Sequence, residues 1–142
     1  LTGDASRHQG DARSLGFRWF TEADARAAYP ADEQKKLSRV YASGLRELVT
    51  LRGPESRAAG VAERLLLHSP EFAELWAAHE VGIRPPEVKR FIHPEVGALE
   101  LNCQTLIDPE QSHLLLVYTA APGSESYEKL QLLAVIGAQS LA

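Results

Sequence analysis

From Leu37 to Val49 the apolar residues Leu37, Val40, Tyr41, Leu45, Leu48 and Val49 recur at spacings of three and four, and Arg52 extends the row. Such spacing lines one face of a 3.6-residue period and predicts a helix over 32–52, capped by Asp32. Lys35, Lys36, Arg39 and Glu47 fall mainly on the other side. Gly44 inside this helix costs about 1 kcal/mol relative to alanine and is read as a point of close approach. Gly53-Pro54 ends the helix, and a second one over 55–68 turns Ala58, Val61, Leu65 and Leu66 inward. Ser69 caps a third, with Pro70 at its first position and Glu71 favoured by the positive helix end. Its stripe is Phe72, Leu75, Trp76 and His79, fading at Val81-Gly82 before Pro85-Pro86. Ahead of these, residues 1–11 read as a loop and 12–20 as a short helix with Leu15, Trp19 and Phe20 on one side. Thr21 with Asp24 reads as a variant capping box that opens a further short helix, stopped at Tyr29-Pro30.

After Pro86 the period changes to two. Residues 88–92 read as a strand and Pro94 to Gly97 as a turn. Over 98–106, Leu99, Leu101 and Cys103 alternate with Glu100, Asn102 and Gln104, as in a sheet with one wet face. Asp108-Pro109-Glu110-Gln111 carries hairpin chemistry. Residues 113–120 are apolar at both parities, which predicts an interior strand covered on both faces. Pro122-Gly123-Ser124 leads into a closing helix with Tyr127, Leu130, Leu133 and Ile136 inward. Helices, an antiparallel meander and a last helix make an α+β domain, with helices on one face of a small curved sheet.

The 142 residues fit one domain, 44% apolar and 24% charged. A net charge of -4 leaves no basic excess for gripping phosphates, which argues against direct nucleic-acid binding by these residues. There is no apolar run of bilayer length and no signal-peptide pattern, so a cytoplasmic protein without a membrane partner is expected. Cys103 is the single cysteine, which excludes an internal disulfide and suits a reducing compartment. The chain starts at Leu1 and has no methionine, so residues upstream are expected.

Catalytic patterns are missing. His8, His68, His79, His93 and His113 are scattered without metal-ligand spacing. There is no Gly-x-Ser-x-Gly elbow and no phosphate loop, and the carboxylates are spread over solvated faces. No enzyme, cofactor or metal is expected. His93, before a proline at a strand end, is either a turn residue bonding a backbone group or a contact to a ligand head group. The aromatic set Phe17, Trp19, Phe20, Tyr41, Phe72, Trp76, Phe91 and Tyr118 has two readings as well. It is a solid core, or with Leu45, Leu65 and Leu101 it walls a cavity of a few hundred Å³ for a long apolar ligand. Arg46, Arg52 and Arg90 would then meet an acidic head group at the rim.

Three stretches carry a resemblance: Ser69-Pro70-Glu71-Phe72 with Trp76 and His79, then His93-Pro94-Glu95-Val96-Gly97, then Tyr118-Thr119-Ala120-Ala121-Pro122-Gly123-Ser124. In order and spacing the chain resembles the C-terminal ligand-binding domain of MmyB-like bacterial transcription regulators. Arg46 and Arg52 match positions for a leucine-arginine pair of that family. The resemblance implies a PAS-like fold with a five-stranded sheet, of which about three strands are visible and the first would lie upstream. It implies that residues 1–142 are the sensor domain of a regulator whose helix-turn-helix domain is outside this chain. DNA is then reached only through that missing domain, a homodimer suits symmetric operators, and the ligand is a small lipophilic molecule such as a fatty acid. The ligand-binding residues expected on this reading are Phe17, Phe20, Tyr41, Leu45, Arg46, Phe72, Trp76, Phe91, His93 and Tyr118. A ligand-free dimerisation domain of the same regulator is the alternative.

Overall fold

Three serines start three helices. The Oγ atoms of Ser14, Ser56 and Ser69 accept hydrogen bonds from the N–H groups of Phe17 (3.4 Å), Ala59 (3.2 Å) and Phe72 (3.2 Å). Each satisfies an amide that the first turn leaves without a partner. In the computed structural model, which describes residues 7–107 and 114–140, these caps open α1 (Leu15–Thr21), α3 (Arg57–His68) and α4 (Pro70–Ala77). A short 3-10 stretch at Gly10–Arg13 ahead of α1, the 3-10 turn at Ala23–Arg26 and the long α2 (Ala31–Arg52) complete the first of two compact units, which ends at Pro85.

Several expectations for this unit are corrected. Thr21 closes α1 instead of capping the 3-10 turn, because its hydroxyl donates back to the Phe17 carbonyl at 3.0 Å. Glu22 precedes that turn without a side-chain cap. Pro30, not Asp32, holds the cap position of α2, and Asp32 lies in the first turn, where its charge suits the positive helix end. The buried arc of α2 is Leu37, Ser38, Ala42 and Ser43, whereas Leu48 is 48% exposed and Arg52 is exposed. Three of these four are small, and the larger Leu45 and Val49 are only partly buried, packed against the cluster of Ala42, Val61, Ala62, Leu65 and Phe72. A pattern built on large side chains is therefore displaced by about one position. In α3 the inward set is Ala59, Val61, Ala62 and Leu65, while Leu66 is exposed.

Helix α4 stops at Ala77 instead of reaching Val81. His79 adopts a left-handed φ of 54°, so it leaves the apolar stripe and stands exposed. The chain then runs back along α2, where Glu47 Oε1 accepts from Gly82 N–H at 2.9 Å and Ser43 Oγ from Ile83 N–H at 3.3 Å. These side chains satisfy amides that a longer α4 would have bonded internally.

The second unit begins at Pro86. Its antiparallel sheet has the order β1-β2-β3, with β1 at Val88–His93, β2 at Gly97–Ile107 and β3 at Leu114–Thr119. Gly97 pairs with His93 across the turn at a φ of 72°, the region glycine enters without strain. Phe91 pairs with Leu99 and Cys103 with Tyr118. Lys89, Phe91, Leu99 and Leu101 are buried on one face, while Arg90, Glu100, Asn102 and Gln104 on the other are exposed, as the alternation predicts.

Strand β3 is a correction. Among the described residues it pairs on one side only, and Leu115 is 60% exposed, so the centre of the sheet is β2. The first half of β2 pairs with β1 and the second with β3. Where β3 has ended, α5 (Glu125–Ser140) takes its place along β2. Ser126 Oγ accepts from Glu100 N–H at 2.9 Å, and Lys129 Nζ donates to the Ala98 carbonyl at 2.8 Å. Leu130, Leu133 and Ile136 are half-buried, and Tyr127 is exposed. The expected hairpin at 108–111 lies outside the described residues. The class is α+β, as expected from the change of period.

Gly44 meets no close approach, since a Cβ there would find no atom within 4 Å. Gly44→Ala should therefore stabilise the chain by about 0.5–1 kcal/mol, or about 2–4 °C in thermal midpoint. A lower midpoint on calorimetric melting would refute that reading of the site.

Candidate functional site

Four residues from four elements of the helical unit close a ring of hydrogen bonds. Trp19 of α1 donates its indole N–H to Ser38 Oγ of α2 at 2.8 Å. Ser38 donates to Glu71 Oε1 of α4 at 2.7 Å. Arg26 of the 3-10 turn donates from Nη2 to Glu71 Oε2 at 2.6 Å and from Nε to the Trp19 carbonyl at 2.7 Å. The reason is local in each case. A buried indole needs an acceptor, a buried hydroxyl needs both roles filled, and a carboxylate with two oxygens can serve two donors. Burial alone pushes the Glu71 carboxyl up, but the hydrogen bonds from Arg26 and Ser38, with the Arg26 charge, outweigh it and hold the group below its ordinary value. The Glu71 side chain is 42% exposed, so solvent screens the charge attraction, and the geometry is what the ring contributes.

Beside this ring lies an open groove of about 440 Å³. Its walls are Trp19, Phe20, Thr21, Glu22, Ala23, Arg26, Ala27 and Gln34. The Arg26 guanidinium lies 5.2 Å from the centroid of Trp19 and 5.8 Å from that of Phe20, over two of the aromatic rings that wall the groove. Gln34 Nε2 donates to the carbonyls of Arg26 (3.3 Å) and Tyr29 (3.1 Å), which pins the turn to α2.

The residues singled out in the sequence fall in both units. Phe17, Phe20, Leu45 and Trp76 pack against the cluster containing Phe72, which is 0% exposed. Phe72 meets Phe20 edge-on at 5.1 Å and stacks on Trp76 at 5.3 Å. Tyr41 tilts against Trp19 at 5.1 Å. Arg46 stacks over Trp76 at 4.0 Å and also donates to its carbonyl, so its charge is folded onto the protein. Of the ten, Phe20 alone borders the groove. In the sheet unit Phe91 meets Tyr118 edge-on at 5.3 Å, and Lys89 Nζ is 5.6 Å from the Tyr118 centroid. His93 Nδ1 accepts from Glu95 N–H at 3.2 Å, a turn contact. Among the described residues, no three His, Cys, Asp or Glu stand together as metal ligands. No helix among them is long and apolar enough to cross a membrane.

Sequence reasoning passes over Ser38 and Arg26 and gives Glu71 only a helix-end role. A signal is present: Ser38 is a polar residue beside Leu37 on the buried arc of a helix, and such a hydroxyl needs a partner.

Ser38→Ala deprives the indole of its acceptor and should destabilise the chain by about 1–3 kcal/mol in chemical denaturation, while Ser38→Thr costs less. Because the Glu71 carboxyl is held low in the folded chain, its contribution is complete above the unfolded value of about 4.3 and is lost as pH falls through the lower folded value. Glu71→Gln should therefore lower stability at neutral pH and weaken the acid dependence below that point. Identical acid profiles for the two proteins would contradict the assignment.

No curated protein and no solved structure matches the chain. A family does: the MmyB-like transcription regulator ligand binding domain, over residues 1–133. That stretch takes in the ring, the groove and the whole sheet, and the chain belongs to the MmyB-like transcription regulator ligand-binding domain family.

Proposed function

We propose that this chain is the sensor of a bacterial DNA-binding regulator and that it takes a small lipophilic molecule, with fatty acids the class to test first. Family membership over residues 1–133 supports the sensing role. The observation that carries the ligand class is the groove beside α1. It has the volume of a small-molecule site, with two rings and two alanine methyl groups along it, the Arg26 guanidinium, and the polar side chains of Thr21, Glu22 and Gln34. An acyl chain would lie along Phe20, Ala23 and Ala27 and point its acid toward Arg26. Occupancy would be felt in the hydrogen-bonded ring, since Trp19 and Arg26 belong to both. The net charge of -4 fits a sensor that leaves DNA contact to a helix-turn-helix domain outside this chain. The chemistry proposed is binding, not catalysis.

A second reading, a dimerisation domain, draws on the sheet. Leu106 and Leu115 are paired neighbours on its open face and both are largely exposed. A second copy laid on that face would cover them, and a two-fold pair suits a symmetric operator. Leu115→Lys would then shift sedimentation toward the monomer.

The ligand reading is tested by native mass spectrometry of the purified chain, followed by calorimetric titration with saturated acids of increasing length. Ala23→Phe fills the groove from an exposed position and should weaken binding about tenfold or more, leaving the melting temperature near that of the parent. The reading fails if no acid produces heat, or if Ala23→Phe binds as tightly as the parent.

A further inference from the structure

Arg18 of α1 is a cation withdrawn from water with no counter-charge among the described residues. The residue is 8% exposed, and its Nε–H has no hydrogen-bond partner among the described residues. Its contact among the described residues is to a neutral group: Nη1 lies 3.0 Å from His8 Nε2, and because a guanidinium only donates, that ring nitrogen accepts. The guanidinium edge formed by Nε and Nη2 is left with no hydrogen bond to a described residue. That edge is the fork with which arginine grips two oxygens of one anion. Asp11, three residues from His8, is paired with Arg64 of α3. A second α3 cation, Arg57, donates from Nη2 to the Gly10 carbonyl at 3.1 Å. Three guanidinium groups thus converge on residues 8–11 with one carboxylate among them. Isolated buried charges are strongly disfavoured, and proteins pair them or bind an ion to them.

We propose that Arg18 is an oxyanion receptor, which binds a carboxylate or phosphate group on its Nε and Nη2 fork while Arg57 adds attraction from α3. Binding there would supply the missing negative charge and fasten residues 8–11 to α1 and α3. The site is separate from the groove, since Arg18 is not among the groove residues, so either proposal stands or falls alone.

The test is thermal melting of the whole chain at constant ionic strength, with chloride replaced stepwise by inorganic phosphate in one series and by acetate in another. A specific site gives a saturable rise of the midpoint in at least one series, and which series responds tells a phosphate receptor from a carboxylate receptor. Arg18→Met removes a buried unpaired charge, so it should fold with a midpoint in chloride equal to or above that of the parent, and it should lose the anion response. Arg18→Lys keeps the charge but not the fork and should need about tenfold more anion. Arg57→Gln should keep the response at reduced affinity. The proposal is overturned if neither anion moves the parent, or if Arg18→Met responds like the parent, which would mean an adventitious ion only. It is overturned too if Arg18→Met is markedly less stable in chloride or fails to fold, because the cation would then already have its compensation within the fold.

Discussion

The closed ring of Trp19, Ser38, Glu71 and Arg26 is the constraint on which the helical unit depends. Its members come from α1, α2, α4 and the 3-10 turn, so one set of hydrogen bonds fixes four short or separate elements. Apolar packing alone would let α1, only seven residues long, slide against its neighbours. Directional bonds from a buried indole do not allow that, because any shift strands a buried donor. The ring also decides where the groove lies. Arg26 is turned toward Glu71 and the Trp19 carbonyl, which leaves a furrow between the end of α1 and the 3-10 turn.

Much of this is legible in the chain, for physical reasons that differ from place to place. Ser69-Pro70-Glu71 marks a helix start because capping is local chemistry, and the cap is there. Phe91, Leu99 and Leu101 share a buried face because alternation in a strand has no freedom of phase. The phase of a helix is looser. The arc of α2 escapes the pattern because small residues such as Ala42 and Ser43 are the buried ones and carry little hydrophobic signal. The end of α4 escapes it because His79 in a left-handed conformation has no strong mark in sequence. Long-range polar partners such as Arg26 and Glu71, 45 positions apart, leave no periodic trace at all.

The sheet shows a different kind of misreading. Residues 114–119 are apolar at both parities, which ordinarily means cover on both faces. Here the strand sits at the edge of the described sheet, and Leu115 and Leu116 are largely exposed. The strand with a neighbour on each side is β2, and its one wet face agrees with its alternation. Its backbone is satisfied by β1, by β3 and then by Ser126 and Lys129 of α5. A helix that stands in for a missing length of strand explains how an eleven-residue β2 tolerates six-residue neighbours.

The arginines tie these observations together. In the helical unit Arg26 stacks on Trp19 and Phe20 and pairs with Glu71, and Arg46 stacks on Trp76 and bonds its carbonyl. A guanidinium suits such places because it is weakly hydrated and planar, and its donors can reach an acceptor while its face lies on a ring. Lysine could supply the charge but not the stack. Arg46, a rim candidate in sequence, is therefore largely occupied with holding α2 to α4. Arg18 breaks the pattern. It is buried like a core residue, yet among the described residues it has no ring beneath it and no acid beside it. Where Arg26 and Arg46 each find a partner within the fold, that exception is best understood as a place kept for a charge that arrives from outside.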